Sequence, residues 1–191
     1  MIQKENKVNK MDKRQKPKVK TKKTAKKDKS KKKCIIVTGT PCTGKTTIAK
    51  SISKYFSYDY IDVNKVIKKY RLDEKYDKKR KCDVVDEKKL AKVLRDMIKI
   101  SDNSIVLDSH MSHYVDPKYV NLCIVTRCNL KKLKQRLKKR GYDKDKVDEN
   151  MECEIMQVCL IEAKEFGHNV IEIDTTKKIN RNFLQELIKK I

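Results

Sequence analysis

Short runs of apolar residues alternate along this chain with stretches in which apolar positions recur every three or four residues. Runs of strand length fall at 34–38, 58–63, 104–108, 120–126 and 169–173. Helical spacing covers 45–56, 64–70, 86–99, 129–140, 147–165 and 179–190. Ile105-Val106-Leu107 and Leu122-Cys123-Ile124-Val125 are continuously apolar, the signature of parallel strands covered on both faces. Strands and helices alternating at these lengths predict a doubly wound α/β domain, a parallel five-stranded sheet flanked by helices. Ligands of such sheets sit beyond the carboxyl ends of the strands, so the residues just after each strand are where chemistry is expected.

The first such segment is the most informative. Gly39-Thr-Pro-Cys-Thr-Gly44-Lys45-Thr46-Thr47 follows the apolar run Cys34–Val37 and precedes a helix with Ile48, Ile52, Tyr55 and Phe56 on one side. It fits the phosphate-loop pattern G-x-x-x-x-G-K-[ST] in the strand–loop–helix setting that the pattern requires. The chain has only four glycines, and Gly39 and Gly44 stand at the two positions the loop demands. There they allow successive N–H groups to face phosphate oxygens. Lys45 supplies a point charge for the β- and γ-phosphates, the Thr46 hydroxyl can ligate Mg²⁺, and the helix start adds its positive dipole end. A nucleoside triphosphate is the expected ligand, which makes the fold a P-loop NTPase.

After the third strand comes Asp108-Ser109-His110-Met111-Ser112-His113. Asp108 either holds Mg²⁺, usually through water, or caps a turn. If the strand runs on, His110 points to the same side as Asp108; it then orients a water or the acceptor group, or else only secures the loop. His113 is the weaker candidate, and His168, after a glycine, is expected to face solvent. Beyond the fourth strand, Arg136 and Arg140 lie four apart on one face of the helix 129–140. Either they neutralise charge on a phosphoryl group in transfer, or they simply suit a helix C-terminus closed by Gly141.

Charge adds a second theme. Residues 1–33 carry fifteen Lys and one Arg against three acids, a net +13 of the chain's +24. With almost no apolar residues, this tail cannot offset the entropy of folding and is expected to be disordered. A block of like charge can hold an RNA backbone, and the near absence of Arg and aromatics predicts salt-sensitive contacts with little sequence preference. No apolar run is long enough to cross a bilayer, so no membrane partner is expected. Seven cysteines without a C-x-x-C pair read as free thiols in a reducing, cytoplasmic setting. Cys42, inside the phosphate loop, is the one expected to be reachable by oxidants.

Taken in order, several blocks resemble a known family: the phosphate loop, Tyr60-Ile-Asp-Val-Asn64, Glu74-Lys-Tyr76-Asp77, Val85-Asp86-Glu87, Asp108-Ser-His110, Arg140-Gly-Tyr142 and Glu149-Asn150-Met-Glu152-Cys153-Glu154-Ile155. Together they are similar to the small adenylate-kinase-like NTPases of the "adenylate kinase isoenzyme six" type, over nearly all of residues 34–191. The resemblance implies an ATP site of Cys42, Gly44, Lys45, Thr46 and Thr47, with Arg140 opening a lid at about 139–149. It implies a monophosphate-binding segment at about 62–85, a magnesium-associated and catalytic pair in Asp108 and His110, and the reaction of ATP with AMP to give two ADP. It further implies ATPase activity and a role in small ribosomal subunit maturation, with a ribosomal protein and pre-ribosomal RNA as partners. The segment 62–85 offers only Arg71 and Arg80 among many lysines. Because Lys does not reproduce bidentate guanidinium–phosphate pairing, AMP kinase activity is expected to be modest beside ATP hydrolysis. An ATPase assembly factor with little AMP kinase activity is the alternative. A non-catalytic RNA-binding module would leave the phosphate loop and Asp108 without a purpose.

Overall fold

The computed structural model of the protein describes residues 32–78, 80 and 82–177, together with 179, 180, 182, 183 and 186. The lysine-rich segment up to residue 31 and most of the helix expected over 179–190 lie outside the described residues. In chain order the elements are β1 (Cys34–Thr38), α1 (Lys45–Phe56), β2 (Asp59–Asp62), α2 (Val63–Tyr70), β3 (Asp73–Asp77), β4 (Cys82–Val85), α3 (Glu87–Ile100), β5 (Ile105–Asp108), β6 (Leu122–Arg127), α4 (Leu130–Lys139), α5 (Lys144–Ile155), α6 (Val158–Glu165) and β7 (Val170–Asp174). Two 3₁₀ turns, Ser112–Tyr114 and Pro117–Tyr119, connect β5 to β6.

Five strands form one sheet in the order β2-β5-β1-β6-β7, and every pairing in it is parallel. β1 is central and buried at all five positions, as its unbroken apolar sequence requires. Alternate residues feed two cores. Ile35, Val37, Val106 and Ile124 pack against Ile48, Ala49 and Ile52 of α1. Ile36, Leu107, Cys123 and Val125 face the other way, against Val66 and Ile67 of α2, Leu90 and Leu94 of α3, and Leu160 and Ala163 of α6. Each fully buried Ile or Leu here contributes about 1.5–3 kcal/mol. A third cluster of Cys128, Leu133, Leu137 and Val147 joins α4 to α5. After β1 the chain crosses to build one half of the sheet, and after β5 it builds the other. The phosphate loop therefore leaves β1 at the switch point, where a crevice opens.

The structure departs from the sequence reading in two places. The stretch 62–85 contains an antiparallel hairpin of β3 and β4, with a register irregularity between Asp73 and Lys75. Asp73-Glu-Lys-Tyr-Asp77 is exposed over four of its five residues, so no buried face exists to impose the two-residue periodicity. The single helix expected over 147–165 is two helices, α5 and α6, broken at Gln157 with φ 55°. Val147, Asn150 and Glu154 are the buried positions of α5, whereas α6 buries Leu160 and Ala163. The phase slips by one residue between them: Ile161, seven residues after Glu154, is 46% exposed while Leu160 is buried.

Candidate active site

The phosphate loop is shaped by backbone geometry that few residues tolerate. Gly39 has φ 134° and Gly44 φ 98°. A Cβ on Gly39 would lie 2.5 Å from the Thr126 carbonyl oxygen, so both conformation and space require glycine there. Cys42 adopts φ 67° without being glycine. Gly44 is the N-cap of α1, no side chain caps that helix, and no acidic residue stands in its first turn. The N–H groups at its start are thus available to an anion, with the helix dipole behind them.

Buried hydroxyls hold the loop from below. The Thr43 hydroxyl donates to the Thr40 carbonyl at 2.7 Å and contacts the Thr126 hydroxyl at 2.7 Å. The Thr175 hydroxyl bonds the carbonyls of Thr43 and Arg127. The Thr40 hydroxyl donates to Glu154 Oε2 at 2.6 Å, while Glu154 Oε1 accepts from Arg127 Nε and the Cys128 N–H, each at 3.0 Å. Glu154 is 3% exposed, and these three donors satisfy a carboxylate that would otherwise be costly to bury. Arg136 completes the frame: Nη2 donates to the Thr175 carbonyl at 2.7 Å and Nη1 reaches the Cys42 carbonyl at 3.5 Å. Arg136 stands in the last turn of α4, as the helix-terminus reading expects. Its guanidinium is engaged in the floor of the loop.

Lys45 folds back over this frame, donating to the carbonyls of Gly39 at 2.8 Å and Thr40 at 3.0 Å. Burial lowers its pKa; Asp108 works against that, and Arg140 adds to it. Arg140 is exposed, with Nη1 3.9 Å from Cys42 Sγ and its guanidinium 5.4 Å from the Tyr142 ring centroid. Asp108 ends β5 in register with Val37 and is buried. Its Oδ2 accepts from the Tyr60 hydroxyl at 2.8 Å. Burial, followed by the Asp108 bond, holds the Tyr60 phenol above its ordinary pKa. Thr46 stands in the first turn of α1, directly after the phosphate loop, and Asp108 ends the strand paired with β1. Both present hard oxygen donors, the set that suits Mg²⁺.

His110 does not continue the strand. The chain turns after Asp108, with the Ser109 N–H bonded to the Val37 carbonyl at 3.2 Å, and the His110 residue is exposed. The protein around it, then the Lys45 and Lys146 ammonium groups, holds its pKa well down, at about 4. His168 is not solvent-facing as expected: it is buried, and Nε2 donates to the His113 carbonyl at 2.8 Å. The glycine before it ends α6 and folds the chain back onto the sheet rather than outward.

The segments 139–149 and 62–85 touch one another. Arg140-Gly-Tyr142 forms the turn after α4, and Lys146 of α5 donates to the Arg80 carbonyl at 2.9 Å. Arg80 Nε lies 3.8 Å from Glu149 Oε1. Arg71, the other arginine of this segment, is the left-handed C-cap of α2. A recess of about 470 Å³ lies elsewhere, lined by Arg127, Cys128, Asn129, Glu172, Asp174 and Thr176. No phosphate-loop residue lines it, and its two carboxylates oppose a polyphosphate.

Residues 35–157 match a family described as an AAA domain. The chain is 42% identical to the "Putative adenylate kinase" of Methanocaldococcus jannaschii over 157 residues, covering 82% of this chain and 85% of that one. The chain belongs to the adenylate-kinase-like P-loop family. It is also 34% identical to the "Adenylate kinase isoenzyme 6 homolog" of Dictyostelium discoideum, across 84% of this chain and 94% of that protein. A shikimate kinase from Bacteroides thetaiotaomicron shares the fold, with a TM-score of 0.56 at 15% identity over 83% of this chain and 95% of that one. As a member of the adenylate-kinase-like family the protein is a phosphotransferase enzyme.

Three site residues of this adenylate-kinase-like chain carry roles that the sequence did not assign. Tyr60 holds the Asp108 carboxylate by a hydrogen bond, and the pairing of β2 with β5 brings it there. Glu154 reaches the phosphate loop from 114 residues away in sequence; the one-residue phase slip after α5 is the signal that marks it. Thr175 belongs to a loop after β7 with no motif of its own, and nothing in the pattern singles it out. The seven cysteines are all free, and burial pushes the thiols of Cys34 and Cys123 up to about 12. Among the described residues no helix is long and apolar enough to cross a membrane.

Proposed function

We propose that the protein transfers the γ-phosphoryl group of Mg·ATP to a nucleoside monophosphate, with AMP the leading acceptor, to give two nucleoside diphosphates. The observation that carries this reading is the glycine-shaped loop that delivers Lys45 and Thr46 to the start of α1, with Asp108 buried at the end of the paired strand β5 and Arg140 Nη1 3.9 Å from Cys42 Sγ. Gly39, Gly44 and Thr47 shape the donor loop around the triphosphate. Lys45 holds the β- and γ-phosphates, and Arg140 offsets charge on the group in transfer. Thr46 and Asp108 are the residues that would hold Mg²⁺, which would draw charge from the triphosphate. An acceptor phosphate is already anionic, so no general base is needed. Positioning and charge neutralisation supply the rate. His110, uncharged near neutral pH beside Lys45 and Lys146, orients the acceptor or, in its absence, a water.

The second reading rests on charge. A net charge of +24 and the lysine-rich segment 1–33 favour a nucleic-acid partner. The family resemblance supports an assembly factor in small ribosomal subunit maturation, in which ATP hydrolysis releases a ribosomal protein or pre-ribosomal RNA. On this reading AMP kinase activity is small, in keeping with the scarcity of arginine at 62–85.

Product analysis with γ-labelled ATP, alone and with AMP, CMP or dAMP, separates the two. Label appearing in the diphosphate of the acceptor supports transfer. Label appearing only as inorganic phosphate, at a rate indifferent to acceptor, rejects it in favour of hydrolysis. For the second reading, co-sedimentation with small-subunit precursors is expected at low salt and is expected to weaken on removing residues 1–31. No co-sedimentation in either form would reject it.

A further inference from the structure

Behind the loop that follows β5 lies a chain of hydrogen bonds not used in the transfer described above. His113 is 1% exposed. Its Nδ1 is 2.9 Å from Thr38 Oγ1 and its Nε2 is 2.8 Å from Glu162 Oε2 on α6. Thr38 is the last residue of β1, next to Gly39, and its hydroxyl donates to the His110 carbonyl at 3.2 Å. The relay therefore ties the start of the phosphate loop to the backbone of His110.

Proton counting ties the directions of these bonds to one another. A threonine hydroxyl has one hydrogen, so the Thr38 contacts to the His110 carbonyl and to His113 Nδ1 are both hydrogen bonds only when Oγ1 donates to the carbonyl and accepts from His113 Nδ1–H. Nε2 then either is bare, facing a protonated Glu162, or is itself protonated, facing a carboxylate. Both cases place one proton between Nε2 and Glu162 in addition to the one on Nδ1. Remove that proton and the remaining one moves to Nε2, beside the carboxylate. Nδ1 becomes an acceptor, the Thr38 hydroxyl turns to it, and the His110 carbonyl loses its donor.

We propose that His113 and Glu162 are positioning residues whose shared proton, acting through Thr38, holds the His110 loop against the phosphate loop. The surroundings favour the state without charges. Burial, followed by His110 and His168, lowers the His113 pKa to about 4. Burial raises that of Glu162, followed by the carboxylates of Glu87 at the start of α3 and Glu165 on α6. Tyr114 and Cys159 face Glu162 as neutral groups. A protonated Glu162 beside a neutral, Nδ1–H His113 is the arrangement that satisfies every bond without a charge on the buried His113 ring. As pH rises through the titration of the pair, the proton leaves and the His110 loop is released.

The effect on turnover rests on the phosphotransfer reading; the tautomer does not. Long-range ¹H–¹⁵N NMR on the full-length protein labelled in its three histidines reads the tautomer directly. In the parent, His113 is expected as Nδ1–H at the acid end and as Nε2–H at the basic end. In Glu162→Gln the amide donates to Nε2 at every pH, so His113 is expected to stay Nδ1–H throughout. AMP-dependent kcat should fall with rising pH at the same midpoint in the parent and stay level in Glu162→Gln. His113→Phe should lower kcat about tenfold, with the KM for ATP within about twofold of the parent, and His113→Asn, which keeps a donor toward Thr38, should recover most of it. An Nε2–H tautomer at all pH in the parent, or the same titration in Glu162→Gln, overturns the relay. A protein inactive toward every acceptor would fail the phosphotransfer reading and leave the NMR result to decide the relay.

Discussion

The phosphate loop and the β3–β4 hairpin border the same site but are held in opposite ways. The loop stands on buried, directional contacts: Thr43 and Thr126, Thr175, Arg136, and the Glu154 carboxylate with three donors. The hairpin is largely exposed and is tied to α5 by Lys146 on the Arg80 carbonyl and by an Arg80–Glu149 pair whose side chains are 70% and 38% exposed. Buried, hydrogen-bonded charges cost several kcal/mol to break, whereas exposed pairs contribute about 0–1 kcal/mol. On the proposed reaction the donor phosphates would meet a preformed cradle and the acceptor a more loosely tied arm. A transferase gains from that division, because the triphosphate is held before the second substrate arrives.

Breaking the cradle should cost most. Lys45→Ala is expected to lower kcat about 10²–10³-fold in a coupled ADP assay, as losing a charge aimed at the transferring group does elsewhere. Glu154→Ala leaves the Arg127 guanidinium and the Cys128 N–H without their acceptor and should lower stability by about 3 kcal/mol in urea unfolding. Gly39→Ala forces a Cβ against the Thr126 carbonyl at a φ that alanine resists. A loss of about 2 kcal/mol is expected by the same measurement, with weakened ATP binding. At the other end, Glu149→Ala on the arm should leave stability within about 0.5 kcal/mol of the parent. If Glu149→Ala destabilises the protein as much as Glu154→Ala does, the contrast between the two regions is lost.

The cradle was readable in the sequence and the arm was not, for one physical reason. Parallel strands buried on both faces must be continuously apolar, so β1, β5 and β6 stand out, and the loop after β1 carries its own spacing of Gly39, Gly44, Lys45 and Thr46. A hairpin such as Asp73–Asp77 with Cys82–Val85 buries little and so leaves no periodicity. The supports of the cradle were equally silent. Tyr60, Glu154 and Thr175 act across 48, 114 and 132 residues of chain to reach Asp108, Thr40 and Thr43, and no local pattern encodes such contacts. The misplacement of His168 has the same origin, since a histidine after a glycine is surface-like until a sheet closes over it.

Hydrogen–deuterium exchange across the two regions tests the division between cradle and arm most directly. In nucleotide-free protein, amides of residues 39–48 should already be protected, and Mg·ATP alone should change them little; those of 73–77 and 82–85 should exchange fast until ATP and AMP are both present. A phosphate loop that exchanges as fast as the hairpin, and becomes protected only on adding nucleotide, would contradict a preformed cradle.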